Sequence, residues 1–240
     1  SKQAGQRWFM KAARDRGMNN FLFFTNSAPY FMTRSGATVS MDRKYINLRE
    51  DKFDDFARFL VTCAKHFRKK GYGVNYISPL NEPNGEWHSN SFQEGTFATK
   101  ADILRMVKEL DKAIEDEKLN TKIIIPEIGE MKYLFEIDKN ERVPDDIIHS
   151  MFYENGKYSV LGMKNLYNCV AAHDYWTAYP AELLVDMRNR VHEAISKNGH
   201  DTKFWASEYC ILEKNEEITM PSSPRKSINL GLYTARIIHN

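Results

Sequence analysis

Apolar and polar positions along the chain follow two periods, which predict helices and strands in alternation. Six segments carry apolar residues at the spacing of an amphipathic helix. Five shorter segments are apolar runs bounded by Gly, Pro or polar turn residues, as is typical of buried strands. The predicted helices are Ala4–Arg16, Asp51–Lys70, Thr99–Glu117, Asp145–Phe152, Ala181–Lys197 and Ser227–His239, and the predicted strands are Phe21–Thr25, Val74–Pro79, Lys122–Ile125, Leu166–Ala172 and Lys203–Ser207.

This alternation predicts an α/β fold, in which helical crossovers cover a parallel sheet on both sides. A closed (β/α)8 TIM barrel needs eight strands, and five strands leave an open arc with unpaired edges. The alternative is a doubly wound sheet, but no G-x-G-x-x-G or G-x-x-x-x-G-K-[ST] motif supports a nucleotide-binding fold. We therefore predict an incomplete TIM barrel, with residues 1–240 forming a single partial catalytic domain. Within its first helix, Trp8 and Phe9 are expected to belong to the core.

Composition and charge narrow the possible partners. The chain has 240 residues, of which 42% are apolar and 28% charged, as expected for a globular domain. A net charge of +2 argues against nucleic acid or an anionic membrane as the main partner. No apolar run approaches the roughly 20 residues that a membrane span requires. We therefore expect no nucleic-acid partner and no membrane span, and no signal peptide is visible.

The cysteines and histidines do not form a recognisable metal or disulfide pattern. Cys63, Cys169 and Cys210 are too few and too scattered for a disulfide framework. The seven histidines show no H-x-H or H-x-x-x-H spacing on one element, which disfavours a metal-dependent hydrolase. We predict that no metal and no cofactor is required.

Polar and aromatic side chains follow each predicted strand, and in a barrel these positions converge on one face. Aromatic rings can stack on the apolar faces of sugars, while amides, carboxylates and imidazoles can bond sugar hydroxyls. The sequence therefore predicts a carbohydrate cleft. Its candidate residues, strand by strand, are Asn26, Ser27, Pro29 and Tyr30; Asn81, Glu82 and Trp87; Glu127 and Glu130; His173, Tyr175 and Trp176; and Glu208 and Tyr209.

Glu82 and Glu208 are the natural catalytic pair in this set. Glycoside hydrolysis needs one protonated carboxylic acid and a second, ionised carboxylate, about 5–5.5 Å apart in a retaining enzyme and about 6.5–9.5 Å apart in an inverting one. Taken singly, Glu82 is more typical of a loop carboxylate that caps a turn, and Glu208 of a buried ion-pair partner. Because Glu208 follows an apolar strand, we expect it to be shielded from solvent. Glu127 and Glu130 also lie at a strand end, where a substrate contact or a structural hydrogen bond is expected of either.

Several segments together resemble glycoside hydrolase family 30, a family of retaining (β/α)8 enzymes. The resemblance covers nearly the whole chain in the right order, and it is closest to the branch that contains endo-β-1,6-galactanases. The segments that resemble family elements are YISPLNEPNGEW for the acid/base strand, FWASEYC for the nucleophile strand, AAHDYW for the sixth strand, FTNSAPYFMTRSG for the third-strand loop and KQAGQRWFMKAA for the helix before that strand.

The resemblance implies a role for each matching residue. Glu82 corresponds to the general acid/base and Glu208 to the nucleophile, while Asn81 would bond the 2-hydroxyl of the sugar. Tyr175 would orient Glu208, and His173 would line the same subsite. Weaker candidates for substrate contact are Asn26 and the aromatic residues Tyr30 and Trp176.

The chain departs from the family pattern in two ways. The third-strand loop begins Ser27-Ala28-Pro29 where family members usually have S-P-P. The first two strands, the eighth strand and the accessory β-sandwich of the family are also absent, so we expect the chain to be truncated at both ends. The missing second strand normally supplies an Arg to the sugar subsite.

The resemblance implies an oligo- or polysaccharide substrate of β-1,6-galactan type and a secreted or periplasmic location. Other specificities of the family, for glucosylceramide, β-1,6-glucan or xylan, remain open at this stage. A non-catalytic carbohydrate-binding remnant is a further alternative, although it would have no need of two opposed glutamates.

Overall fold

The computed structural model describes residues 4–42, 44–88, 91, 93–137, 144–198, 201–212, 215–218 and 228–239. Five parallel strands, each paired with the next along the chain, form one sheet in the order β1-β2-β3-β4-β5. The strands are β1 (Phe21–Phe24), β2 (Val74–Ser78), β3 (Lys122–Ile128), β4 (Leu166–His173) and β5 (Lys203–Glu208). The helices are α1 (Ala4–Arg14), α2 (Phe53–Lys69), α3 (Lys100–Asp116), α4 (Ile147–Phe152), α5 (Ala181–Ser196) and α6 (Ile228–His239).

This arrangement confirms the predicted incomplete (β/α)8 barrel, as a half-barrel of five strands alternating with helices. The predicted element bounds agree with the structure to within a few residues, and the predicted helix start at Ser227 lies outside the described residues. In the described sheet, the outer edges of β1 and β5 have no strand partner.

The two faces of the sheet are packed differently. The outer face packs against α2 and α3, whose apolar stripes contribute fully buried residues such as Phe56 and Leu110. The concave face carries an aromatic layer in which Tyr76, Tyr167 and Trp205 meet with ring centroids 5.0–5.5 Å apart. Alternate side chains of barrel strands fill such an interior, so this face corresponds to the inside of a barrel.

The prediction that β3 ends at Pro126 is wrong, because the strand continues to Ile128. A proline interrupts a strand only where a partner strand needs its missing N–H. The ladder between β2 and β3 ends at Ile123, ahead of the proline, while pairing with β4 continues through Pro126 and Ala171. As a result, Glu127 lies inside the strand rather than in the loop that follows it.

The prediction that Trp8 and Phe9 belong to the core is also wrong. Their exposed fractions are 63% and 69%, and α1 has no buried residue. The helix is held at its C-terminal end, where Arg14 donates to the Lys70 carbonyl and stacks on the Tyr72 ring. Trp8 and Phe9 therefore face solvent in the described structure. Among the described helices, none is both long enough and apolar enough to cross a bilayer.

Candidate active site

Four ionisable side chains come together at the carboxyl ends of β2, β3, β4 and β5: those of Glu82, Glu127, His173 and Glu208. His173 and Glu208 are the last residues of their strands and register partners of one another, whereas Glu82 follows β2 in a loop. The Glu82 N–H donates to the Glu127 carbonyl at 2.9 Å, and the N–H of Asp174 donates to the Glu208 carbonyl at 3.0 Å. Backbone hydrogen bonds between neighbouring strand ends therefore set the relative positions of all three glutamates.

The backbone of Glu82 has a left-handed conformation, with a φ of 42°. Its carbonyl accepts hydrogen bonds from the Gly85 N–H at 2.8 Å and from Trp87 Nε1 at 2.7 Å. The side chain lies against Gly129, where an added Cβ would come within 3.1 Å of Glu82 Oε1. Gly129 is fixed in turn by donation from its N–H to Asn84 Oδ1 at 3.0 Å. The loop thus fixes the backbone of Glu82 by hydrogen bonds, while the contact with Gly129 limits the position of its carboxylate.

His173 is fully buried and links the two glutamates of the predicted pair. Its Nδ1 lies 2.9 Å from Glu82 Oε1, and its Nε2 lies 3.9 Å from Glu208 Oε2. One oxygen of Glu82, one oxygen of Glu208 and one ring nitrogen of His173 all lie within 4.8 Å of one another. Two carboxylates this close can act on the two ends of a single bond.

Tyr175 holds the Glu208 carboxylate from the other side. Its hydroxyl donates to Glu208 Oε1 at 2.5 Å, and its ring packs edge-on against His173 with centroids 5.6 Å apart. Burial of Tyr175 and its hydrogen bond to Glu208 raise the pKa of the phenol, so it remains a proton donor over the working pH range. The Glu208 side chain is 43% exposed, contrary to the expected shielding, because β5 is an outer strand of the described sheet.

Comparisons with known proteins identify the family of this chain. The model of O-glycosyl hydrolase family 30 matches residues 1–240. The chain belongs to glycoside hydrolase family 30. The predicted family resemblance is therefore confirmed. No significant match was found among curated proteins.

Solved structures of similar fold include one with high sequence identity. A conserved exported protein from Bacteroides fragilis is 76% identical, with a TM-score of 0.95 over 100% of this chain and 49% of that protein. The present chain thus spans about half of that relative. SrfJ from Salmonella typhimurium (16% identity, TM-score 0.64, 97% and 43% coverage) and a family 30 subfamily 8 xylanase from Clostridium acetobutylicum (19%, 0.52, 89% and 45%) share the fold.

The electrostatics of this family 30 site centre on the imidazole of His173. Burial opposes a positive charge on the ring, but the Glu127 and Glu82 carboxylates beside it, together with the charge of Glu208, outweigh burial and raise the pKa of His173 to about 9. Among the described residues, these three carboxylates form ion pairs with His173 and with no Lys or Arg. We therefore treat His173 as a cation near neutral pH.

The remaining predicted substrate contacts divide into one buried and three exposed residues. Asn81 is 3% exposed, and its buried Oδ1 has no hydrogen-bond partner among the described residues. Asn26, Tyr30 and Trp176 lie exposed in the loops after β1 and β4, and no described hydrogen bond joins them to the two glutamates. Their contact with substrate stays a prediction.

Sequence reasoning did not separate Glu127 from Glu130, but the structure does. The Glu130 carboxylate pairs with Lys132 at the surface. Glu127 is fully buried, has a left-handed φ of 59°, and accepts a hydrogen bond from the Ser207 hydroxyl. The informative signal was the apolar residue on each side of Glu127, which favours continuation of the strand rather than a loop.

The cluster also contains ligand atoms of the kind that bind a metal cation. Glu82, His173 and Glu208 each offer one suitable atom. The hydrogen-bond distance between His173 Nδ1 and Glu82 Oε1, however, arranges these two groups to share a proton. The expectation that no metal is required stays a prediction.

Proposed function

We propose that this chain carries the catalytic pair of a retaining glycoside hydrolase that cleaves β-linked glycans. The close approach of the Glu82 and Glu208 carboxylates, within 4.8 Å at their nearest oxygens, carries this proposal. Such a spacing suits a retaining mechanism, since an inverting enzyme needs about 6.5–9.5 Å to admit a water molecule between its carboxyl groups.

In the first step, an oxygen of Glu208 attacks the anomeric carbon and forms a glycosyl ester. The bond from that carbon to the leaving oxygen breaks, and protonated Glu82 gives its proton to that oxygen. In the second step, Glu82 takes a proton from water, the water oxygen attacks the anomeric carbon, and Glu208 leaves as a carboxylate. Tyr175 holds Glu208 in line, and the buried Asn81 amide oxygen, which has no partner among the described residues, accepts a hydrogen bond from a sugar hydroxyl.

We propose a β-1,6-galactan type of substrate, on the resemblance of the segments around Glu82 and Glu208 to the endo-β-1,6-galactanase branch. The 240 residues would form one part of a single barrel domain, and the protein would act outside the cytoplasm, like the relative described as exported. Release of reducing ends from β-1,6-galactan, β-1,6-glucan, xylan and glucosylceramide by the complete gene product tests this specificity. Preference for any of the other three substrates would contradict the galactan assignment.

Azide provides a sharp test of the two catalytic roles. With an activated aryl β-glycoside, Glu208→Ala and Glu82→Ala in the complete gene product should each lose about 10²–10⁴-fold in turnover. Azide should restore Glu208→Ala by forming the α-glycosyl azide, and Glu82→Ala by forming the β-glycosyl azide. Full activity of either variant without azide would refute the assignment, and turnover should survive EDTA because both steps use carboxylates alone.

A further inference from the structure

A third carboxylate, which the double-displacement steps leave unused, lies beside the proposed pair. Glu127 is fully buried, and its Oε2 lies 3.7 Å from His173 Nε2. The Ser207 hydroxyl donates to the same oxygen, whereas Glu127 Oε1 has no hydrogen-bond partner among the described residues. Burying a carboxylate is costly unless it is paired. Its position therefore requires a compensating cation, and His173 is the cation within reach.

Carboxylate oxygens lie within 4 Å of both nitrogens of the His173 ring, although Nε2 makes no hydrogen bond among the described residues. Nδ1 faces Glu82, and Nε2 faces Glu127 at 3.7 Å and Glu208 at 3.9 Å. The titratable groups around the ring are completed by Tyr175, which packs edge-on and donates its proton to Glu208. Three carboxylates within 4 Å of the ring nitrogens favour the positively charged ring over the neutral one.

The same carboxylate also affects the next titratable group on β4. Burial and the charge of Glu127 raise the pKa of the Cys169 thiol to about 12, with Lys203 opposing the shift. Cys169 therefore keeps its proton near neutral pH, and a thiol, which is either neutral or negative, cannot balance the charge of Glu127. This leaves His173 as the described group that does.

This inference rests on the catalytic roles proposed above. We propose that Glu127 is a positioning residue, which holds the His173 ring through Nε2 so that Nδ1 stays directed at the acid/base Glu82. Its negative charge also balances the imidazolium. Without Glu127, the His173 ring would keep its neighbours Glu82 and Glu208 but would lose the carboxylate that faces Nε2 from β3.

Glu127→Gln in the complete gene product tests the proposal, because the amide keeps the shape of the side chain and removes its charge. We expect kcat to fall by about 10–100-fold, as for a misplaced catalytic group, with KM changed by less than about twofold. Removing one negative charge makes the cluster release its protons at lower pH. The basic limb of the rate profile should therefore move down by about one pH unit.

Glu115→Gln is the matched control, since it makes the same chemical change on α3, away from the site, where the carboxylate pairs with Lys164 at the surface. It should leave kcat, KM and both limbs of the profile unchanged. A Glu127→Gln enzyme with wild-type kcat and profile would overturn the positioning role, even if Glu82→Ala and Glu208→Ala are inactive. Full activity of those two alanine variants would instead refute the proposed function.

A measurement on the unmodified protein covers the case in which Glu127→Gln does not fold. Phe24 stacks on His173 with ring centroids 6.1 Å apart, and Tyr175 packs against its edge. Contacts with the protons of these two rings assign the ¹⁵N resonances of His173, which report the protonation of each nitrogen. We expect both nitrogens to be protonated at pH 7. A neutral ring with a single N–H would overturn the proposal.

Discussion

At the scale of single residues, the site depends on how tightly Glu82 is held. Its N–H, its carbonyl and its side chain are each engaged, by the Glu127 carbonyl, by Trp87 Nε1 and by the face of Gly129. Positioning within a fraction of an ångström contributes a large part of the rate in enzymes that bring reacting groups together. The absence of a side chain at Gly129 therefore leaves room for the Glu82 carboxylate.

Gly129→Ala tests this packing. The new Cβ would lie 3.1–3.3 Å from three atoms of the Glu82 side chain, so the carboxylate must shift. We expect kcat of the complete gene product to fall by about tenfold or more, with the melting temperature changed little, since the strained contact is with a movable side chain. Gly231→Ala is the control, because an added Cβ at this exposed position of α6 meets no atom within 4 Å. Unchanged kcat in Gly129→Ala would show that Glu82 tolerates the displacement.

The raised pKa of His173 predicts a pH dependence of stability. The folded-state pKa of about 9 lies above the unfolded value of about 6.5, so the stabilisation is complete below pH 6.5 and is lost as pH rises through 9. Its full size is of the order of 3 kcal/mol. The difference in unfolding free energy between wild type and His173→Asn, measured with urea, should be larger at pH 6 than at pH 9.5 by this amount. An equal difference at both pH values would contradict the prediction.

At the scale of elements, the sequence predicted which segments are strands and helices, but not every contact between them. Apolar periodicity identified all five strands, because buried strands of a parallel sheet are apolar on both faces. It could not reveal that Pro126 lies beyond the last pair of the β2–β3 ladder. It also could not reveal that Glu127 and His173, far apart in the chain, share one buried space. That Glu82 and Glu208 lie close together was predictable, since each follows an apolar strand of one parallel sheet.

The N-terminus of α3 shows how local sequence sets an element boundary. Thr99 and Asp102 form a capping box, in which the Thr99 side chain accepts from the Asp102 N–H and the Asp102 carboxylate accepts from the Thr99 N–H. Thr99→Ala should lower the free energy of unfolding by about 1 kcal/mol. Thr62→Ala, at an exposed position inside α2, should change it by less than about 0.5 kcal/mol. Equal effects of the two substitutions would show that the cap contributes nothing.

At the scale of the whole molecule, the half-barrel exposes surfaces that closed barrels do not have. The outer edges of β1 and β5 are unpaired in the described sheet, and Trp8 and Phe9 form an exposed aromatic pair on α1. Unpaired edges and exposed apolar surface favour association between chains. The surface that is left open is the one a complete barrel would cover.

The 240-residue chain by itself is therefore expected to self-associate. Sedimentation velocity should show an average mass that rises with protein concentration. The double variant Trp8→Lys, Phe9→Lys should reduce this association, and Lys11→Ala, on the same helix, should not. A single monomeric species at all concentrations would contradict the prediction.

The left-handed backbone conformations at the carboxyl ends of the strands limit how the protein can be stabilised without loss of the site. Three of the five described non-glycine residues with positive φ are Glu82, Glu127 and Trp176, all at the carboxyl ends of the strands. Each such conformation costs of the order of 1–3 kcal/mol, which glycine would largely avoid. A library selected only for heat resistance would therefore enrich glycine at position 82 and discard the proposed acid/base. Selection of more robust variants must hold these three positions constant.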